Sequence, residues 1–262
     1  MNNERVEKLV DLLKIVYSSL DCFKQTIENG LCTYKIDFEM IIENEKSKVA
    51  GGKVLSELKK DDIEFYDRDI NLQKELIDII NEIRNCTRCE LSLKRINTVP
   101  GIGPIDSKVM IIGEAPGEQE DIQGLPFVGK AGQLLTKLLD NAGLQRDKIY
   151  ITNCIKCRPP NNRVPSVKEM ILCSIHLKRQ INLIKPDLIL SLGATSIQFL
   201  LNKKVSITKI RGTLIEAEIF GRKVLLFPTF HPSFLLRDNR NIPVASEDIK
   251  KIASYIKKNK LL

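Results

Sequence analysis

Four short apolar runs punctuate the middle of the chain: "KVMIIG" (108–113), "IYITN" (149–153), "DLILSLG" (187–193) and "KVLLFPT" (223–229). Each reads as a short strand. Helical periodicity fills 129–142 and 166–184 between the first three, and "ATSIQFLL" (194–201) follows the third as a further helix. Strands alternating with helices in this way predict a parallel sheet joined by crossover helices. The segment "GTLIEAEIFG", ending in a turn at Gly221, is the expected hairpin partner of the fourth run. Upstream, Leu72, Leu76, Ile79, Ile80 and Ile83 form the buried stripe of a helix, with Asp69 as its N-cap and Cys86 just beyond its end. Val6, Leu9, Val10, Leu13, Val16 and Leu20 predict an amphipathic helix over 4–20. Between these, "YKIDFEMII" fits either a strand or a short helix, and "ENEKSKVAGGK" reads as a flexible linker. The expected organisation is a mostly helical accessory extension over residues 1–68 and an α/β domain over 69–262.

In an open parallel sheet, ligands bind beyond the carboxyl ends of the strands. The segments that follow the four runs are "GEAPG", "TNC", "GATS" and "TFHPS". Glu114 thus stands at the first strand end, where a plain solvent turn is the alternative. Asn153 ends the second; its carboxamide matches the edge of a pyrimidine that presents a carbonyl and an N–H, and equally suits a turn. His231, between Phe230 and Pro232, sits where an imidazole can donate to a developing oxyanion. Phe127, in "GLPFVGKAG", either seals the core or offers a face on which a base stacks. His176 falls within a helical pattern and reads as a core or surface residue.

Charge adds a partner class. Residues 1–80 hold 12 basic and 17 acidic side chains, net −5, leaving 29 and 16, net +13, for residues 81–262. A basic domain gains by displacing counterions from phosphates, which fits nucleic acid; a basic surface kept for solubility is the plainer alternative. The N-terminus opens polar, without a secretion signal, and "DLILSLGA" is too short to span a bilayer, so a cytoplasmic protein is expected. In a reducing compartment, seven cysteines favour metal binding over disulfides. Cys86 and Cys89 form one CxxC, and Cys154 and Cys157 another. The 64 residues between the two pairs are too many for a zinc ribbon, and Cys154 directly follows a strand, where a small apolar residue serves. Cys86, Cys89, Cys157 and Cys173 are therefore the expected ligands. Four thiolates suit zinc or an iron–sulfur cluster, and spacing does not separate the two. Cys22 and Cys32 read as unliganded.

Taken together, "GEAPG", "PFVGKAG", "YITNCIKCRPPNNR" and "HPS" with those four cysteines resemble the family 4, iron–sulfur uracil-DNA glycosylases over residues 72–258. The resemblance implies a three-layer α/β/α fold with a four-stranded parallel sheet and a structural 4Fe-4S cluster on the four cysteines. It implies a monomer acting on uracil-containing DNA and initiating base excision repair; because no lysine but Lys130 falls within the strand-end motifs, a Schiff-base lyase step lacks its amine and a monofunctional enzyme is expected. Residue by residue, it assigns Glu114 to the sugar and scissile bond and Phe127 to stacking on the flipped base. Asn153 reads uracil O4 and N3–H, His231 stabilises O2, and Glu120 faces the C5 edge to reject thymine's methyl group. Two departures stand out. Cys154 replaces the usual Ile or Val, and the long acidic N-terminal extension has no counterpart. Relatives bearing "GQDPYH" place an Asp where this chain has Ala115, which leaves Glu114 as the candidate to orient water or stabilise the sugar cation.

A base inside a duplex must be flipped out before chemistry can reach it. Phe234, Leu235 and Leu236, on an apparent loop, are the expected wedge into the vacated stack, with Arg237 on phosphate. "PGIGP" (100–104) is expected to bring backbone amides close to the DNA strand. Three rivals remain at this level: a relative acting on other deaminated bases, a non-catalytic DNA-binding module, and a zinc-dependent nucleic-acid binder. "RPPNNRVPS" lacks the basic His-containing loop of covalent-trapping relatives.

Overall fold

The computed structural model describes residues 60–262. The expected helix over 4–20, Cys22, Cys32 and the remainder of the extension up to residue 59 lie outside the described residues. The first described element, α1 (Lys60–Arg84), begins upstream of Asp69, so that residue is not a cap. Neither Gly nor Pro occurs anywhere in its 25 residues, and nothing in the backbone chemistry stops the helix earlier. Ile79 and Ile83 of its stripe are fully buried against Leu183, with Leu72 and Leu76 packed alongside.

Beyond α1 the elements of the unit Tyr66–Leu262 follow in order: β1 (Val109–Gly113), α2 (Glu118–Gln123), α3 (Lys130–Asn141), β2 (Tyr150–Asn153), α4 (Val167–Ile184), β3 (Leu188–Leu192), α5 (Gly193–Leu201), α6 (Ile207–Ile210), β4 (Ile215–Ile219), β5 (Arg222–Thr229), α7 (Pro232–Arg237) and α8 (Ile242–Lys258). The sheet order is β2-β1-β3-β5-β4. The first four of these strands are mutually parallel, and β4 adds an antiparallel edge through the expected hairpin. A fifth strand thus joins the four expected from the apolar runs. It alternates in burial where the central strands are buried throughout, because one face of this antiparallel strand meets solvent.

Strand period 2 splits the core into two layers. Val109, Ile111, Ile151, Leu188 and Leu190 point to one face, where α3 (Leu135, Leu138, Leu139) and α8 (Ile249, Ile252, Ile256) cover them. Met110, Ile112, Tyr150, Ile189 and Leu226 point to the other, beneath α4 (Leu177, Ile181, Ile184) and α5 (Ile197, Leu200). The result is the three-layer α/β/α arrangement. Sequence reading passed over α8, although Ile249, Ile252, Ala253 and Ile256 recur at helical spacing. "PGIGP" is tied to the sheet. Ile102 exchanges both backbone hydrogen bonds with Ile151 at 2.7 and 2.9 Å, and the Pro100 carbonyl accepts from Thr152 Oγ1 and Gln180 Nε2, each at 2.8 Å.

The β1–β2 ladder continues past the strand ends. Cys154 N–H donates to the Gly113 carbonyl at 2.9 Å, and Ile155 N–H to that of Glu114 at 3.3 Å. These bonds hold "GEA" beside "TNC" at the carboxyl edge.

Candidate active site

Four loops leaving the carboxyl edge enclose a cleft of about 790 Å³ lined by Glu114, Glu120, Phe127, Asn153, His231 and Arg237, among others. The three residues expected at the strand ends therefore share one cavity with Phe127.

His231 closes the first turn of α7. Ser233 N–H donates to its Nδ1 at 3.2 Å, and Ser233 Oγ lies 2.7 Å from the same atom. A backbone N–H can only donate, so Nδ1 is the acceptor and the proton sits on Nε2. Nε2 is shielded from water and has no partner. Burial, with the charge of Arg237 adding to it, pulls the imidazole down to about 4, so the ring is neutral at physiological pH. The chain thus holds an unspent neutral donor at the cleft.

Asn153 is almost fully buried at the end of β2, and its Oδ1 also has no partner. Such an acceptor is costly to bury unless a ligand satisfies it. A side chain at Gly113 would collide with both Asn153 Oδ1 and the tip of the Phe127 ring, so glycine lets amide and ring share the strand end. Phe127 itself adopts φ +54°, in the left-handed region that bulky residues seldom enter. Its ring centroid lies 5.9 Å from that of His231, at 37°.

Glu120 lines the cleft, but its carboxylate is spent on the backbone. Oε1 accepts from Val128 N and Gly129 N, both at 2.8 Å, and Oε2 from Gly117 N at 3.1 Å. It joins the first turn of α2 to the start of α3. Glu114 lines the same cleft, half-buried.

The expected wedge is only partly available. Residues 232–237 form the helix α7, not a loop, because Pro232 opens its first turn. Leu235 is 0% exposed and belongs to the core beneath α3 and α8, whereas Leu236 is 48% exposed. Phe234 is half-buried against Phe230, with centroids 5.1 Å apart, and Arg237 is exposed at the cleft.

Behind the sheet end, Cys86, Cys89, Cys157 and Cys173 line one small cavity with Arg88, Arg95, Lys156 and His176. All are free thiols; Cys154 is too, but it is sealed in the core and does not line that cavity. Among the described residues, no three Cys, His, Asp or Glu side chains are grouped to hold a metal ion. The surroundings fit a sulfur-rich, negatively charged group. Arg95 Nη1 donates to Cys157 Sγ at 3.2 Å, and both ring nitrogens of His176 are buried without partners. His176 was expected to be an ordinary core or surface residue; its orphaned nitrogens set it apart. Burial raises the Cys173 thiol to about 12, so a bound metal would have to displace its proton. Lys156, also missed in the sequence although it lies within "TNCIKC", is buried here. Its Nζ donates to Thr152 Oγ1 at 2.6 Å and to the Asn153 carbonyl at 2.8 Å, which links the cysteine loop to the end of β2.

With this geometry in place, comparison with known proteins is decisive. Residues 100–257 match the uracil DNA glycosylase superfamily. The chain belongs to that superfamily. It is 49% identical to a type-4 uracil-DNA glycosylase of Thermotoga maritima over 190 residues, which are 71% of this chain and 97% of the relative. It is 47% identical to one from Saccharolobus solfataricus, covering 66% and 83%, and 40% identical to one from Archaeoglobus fulgidus, covering 68% and 92%. Among the described residues, no helix is long and apolar enough to cross a membrane.

Proposed function

We propose that this protein is a uracil-DNA glycosylase: it hydrolyses the N-glycosidic bond of deoxyuridine in DNA, releasing uracil and leaving an abasic site. The observation that carries the reading is the neutral His231 with an unspent Nε2–H, set in one cleft with the unspent acceptor of Asn153 and the ring of Phe127. A pyrimidine flipped from the stack satisfies both orphaned groups at once. Uracil N3–H donates to Asn153 Oδ1, and the amide of Asn153 donates to O4. Phe127 stacks on the ring face. Glu120, immobilised by three amides, forms a rigid wall where thymine would carry its methyl group.

As the bond breaks, negative charge gathers on uracil O2, where His231 Nε2–H donates to it. A positioned donor of this kind is worth about 3 kcal/mol in a shielded site. Neutrality of the ring matters, because the donor keeps its proton and stabilises the departing anion by a hydrogen bond. Glu114 is assigned to the sugar side, where a carboxylate favours the oxocarbenium-like centre and orients the attacking water. Leu236, with the exposed part of Phe234, fills the gap left in the stack, and Arg237 meets phosphate. Cys86, Cys89, Cys157 and Cys173 are the residues that would hold a 4Fe-4S cluster. When bound, such a cluster serves as a fastener joining the segment after α1, the loop after β2, and α4.

The test is direct. Purified protein is incubated with a uracil-containing oligonucleotide and its thymine counterpart, followed by alkali. Cleavage at uracil alone supports the proposal. DNA binding without alkali-labile sites would instead make the chain a non-catalytic DNA-binding module.

A further inference from the structure

We propose that Arg146 is a positioning residue for the base-stacking ring of Phe127, acting from outside the cleft; the inference rests on the stacking role given to Phe127 above. The turn carrying Phe127 is clamped from two sides by opposite charges. Glu120 takes its amides, those of Val128 and Gly129. Arg146 takes its carbonyls: Nη2 donates to the oxygens of Pro126 at 2.8 Å and Phe127 at 3.0 Å. Nη1 of the same guanidinium donates to Thr136 Oγ1 at 2.9 Å, which fastens the fork to α3.

The clamp has something to oppose. At φ +54° a phenylalanine is in a conformation its side chain disfavours, and such residues persist only where their surroundings overdetermine them. Gly132 supplies part of that constraint, because any side chain there would strike the Phe127 carbonyl. α3 therefore sits directly on the peptide that Arg146 holds. Without the fork, the peptide after Phe127 loses its charged donor and is free to relax toward ordinary backbone angles. That relaxation swings the ring away from Gly113 and from the plane a flipped base needs. The planar, two-pronged guanidinium suits this task; a lysine ammonium is a single point of attachment.

The test is a double-mutant cycle on single-turnover uracil release, with inhibition by free uracil and thermal melting read alongside. Phe127→Ala and Arg146→Ala are each expected to slow release about tenfold or more, the size of a lost base–aromatic stack. Each should also weaken inhibition by free uracil. The double variant is expected to be no slower than Phe127→Ala alone, because Arg146 then has no ring to position. Losses that multiply, or an Arg146→Ala variant with a wild-type rate beside an impaired Phe127→Ala, would overturn the inference and leave the stacking role standing. A wild-type rate for Phe127→Ala would overturn the stacking role itself and the inference with it. Should Arg146→Ala fail to fold, Arg146→Lys passes through the same cycle, with the same outcomes deciding.

Discussion

At the residue scale, the site is defined by polar atoms left without protein partners. His231 Nε2 and Asn153 Oδ1 are buried and unpaired on the same cleft, whereas Glu120 has no such capacity to spare. His231→Ala is expected to reduce single-turnover uracil release by about 10²-fold with DNA affinity nearly unchanged. An equal loss in both would reassign the residue to folding. The depressed imidazole pKa carries a stability signature of definite sign. The unfolded chain protonates this ring near 6.5 and the folded chain only near 4, so between those values the unfolded state binds the extra proton. The contribution of His231 is complete above pH 6.5 and is lost as pH falls toward 4. Melting temperature measured over that window should fall less steeply in His231→Ala than in the wild type.

At the element scale, α7 shows how one short helix divides its labour. A helix turns successive side chains by about 100°, so Leu235 and Leu236 cannot both face DNA. Leu235→Ala should cost about 2–5 kcal/mol of stability, the range for truncating a buried leucine. Leu236→Ala should leave the melting temperature within a degree or two of wild type, given that exposed substitutions cost about 0.5 kcal/mol or less. It should nonetheless slow excision from duplex DNA more than from single strands. Equal effects on both substrates would remove Leu236 from the wedge. The sequence showed three apolar residues in a row, and only the helical geometry separates the core residue from the exposed one.

At the scale of the molecule, the cysteine cavity joins segments far apart in the chain: the stretch after α1, the loop after β2, and α4. Cys173→Ser is expected to abolish iron absorbance and lower the melting temperature, while Cys154→Ser keeps the iron; the reverse pattern would move the ligand set. Much of this architecture was legible from sequence because it is written in local periodicity. Runs of buried residues marked the four parallel strands, and helical spacing marked the crossovers between them. The strand-end residues Glu114, Asn153 and His231 followed, since parallel topology alone carries them to one edge. The CxxC pair and two distant cysteines likewise announced themselves by residue type. Tertiary structure decided the rest. Nothing local tells that α1 begins at Lys60, that "PGIGP" is tied to β2, or that His176 has two unpaired nitrogens. Nor does spacing connect Arg146 to a carbonyl 19 residues away, or assign Glu120 to backbone amides. Periodicity records which face of an element is apolar; the partner of a polar atom depends on distances across the fold, which no local pattern carries.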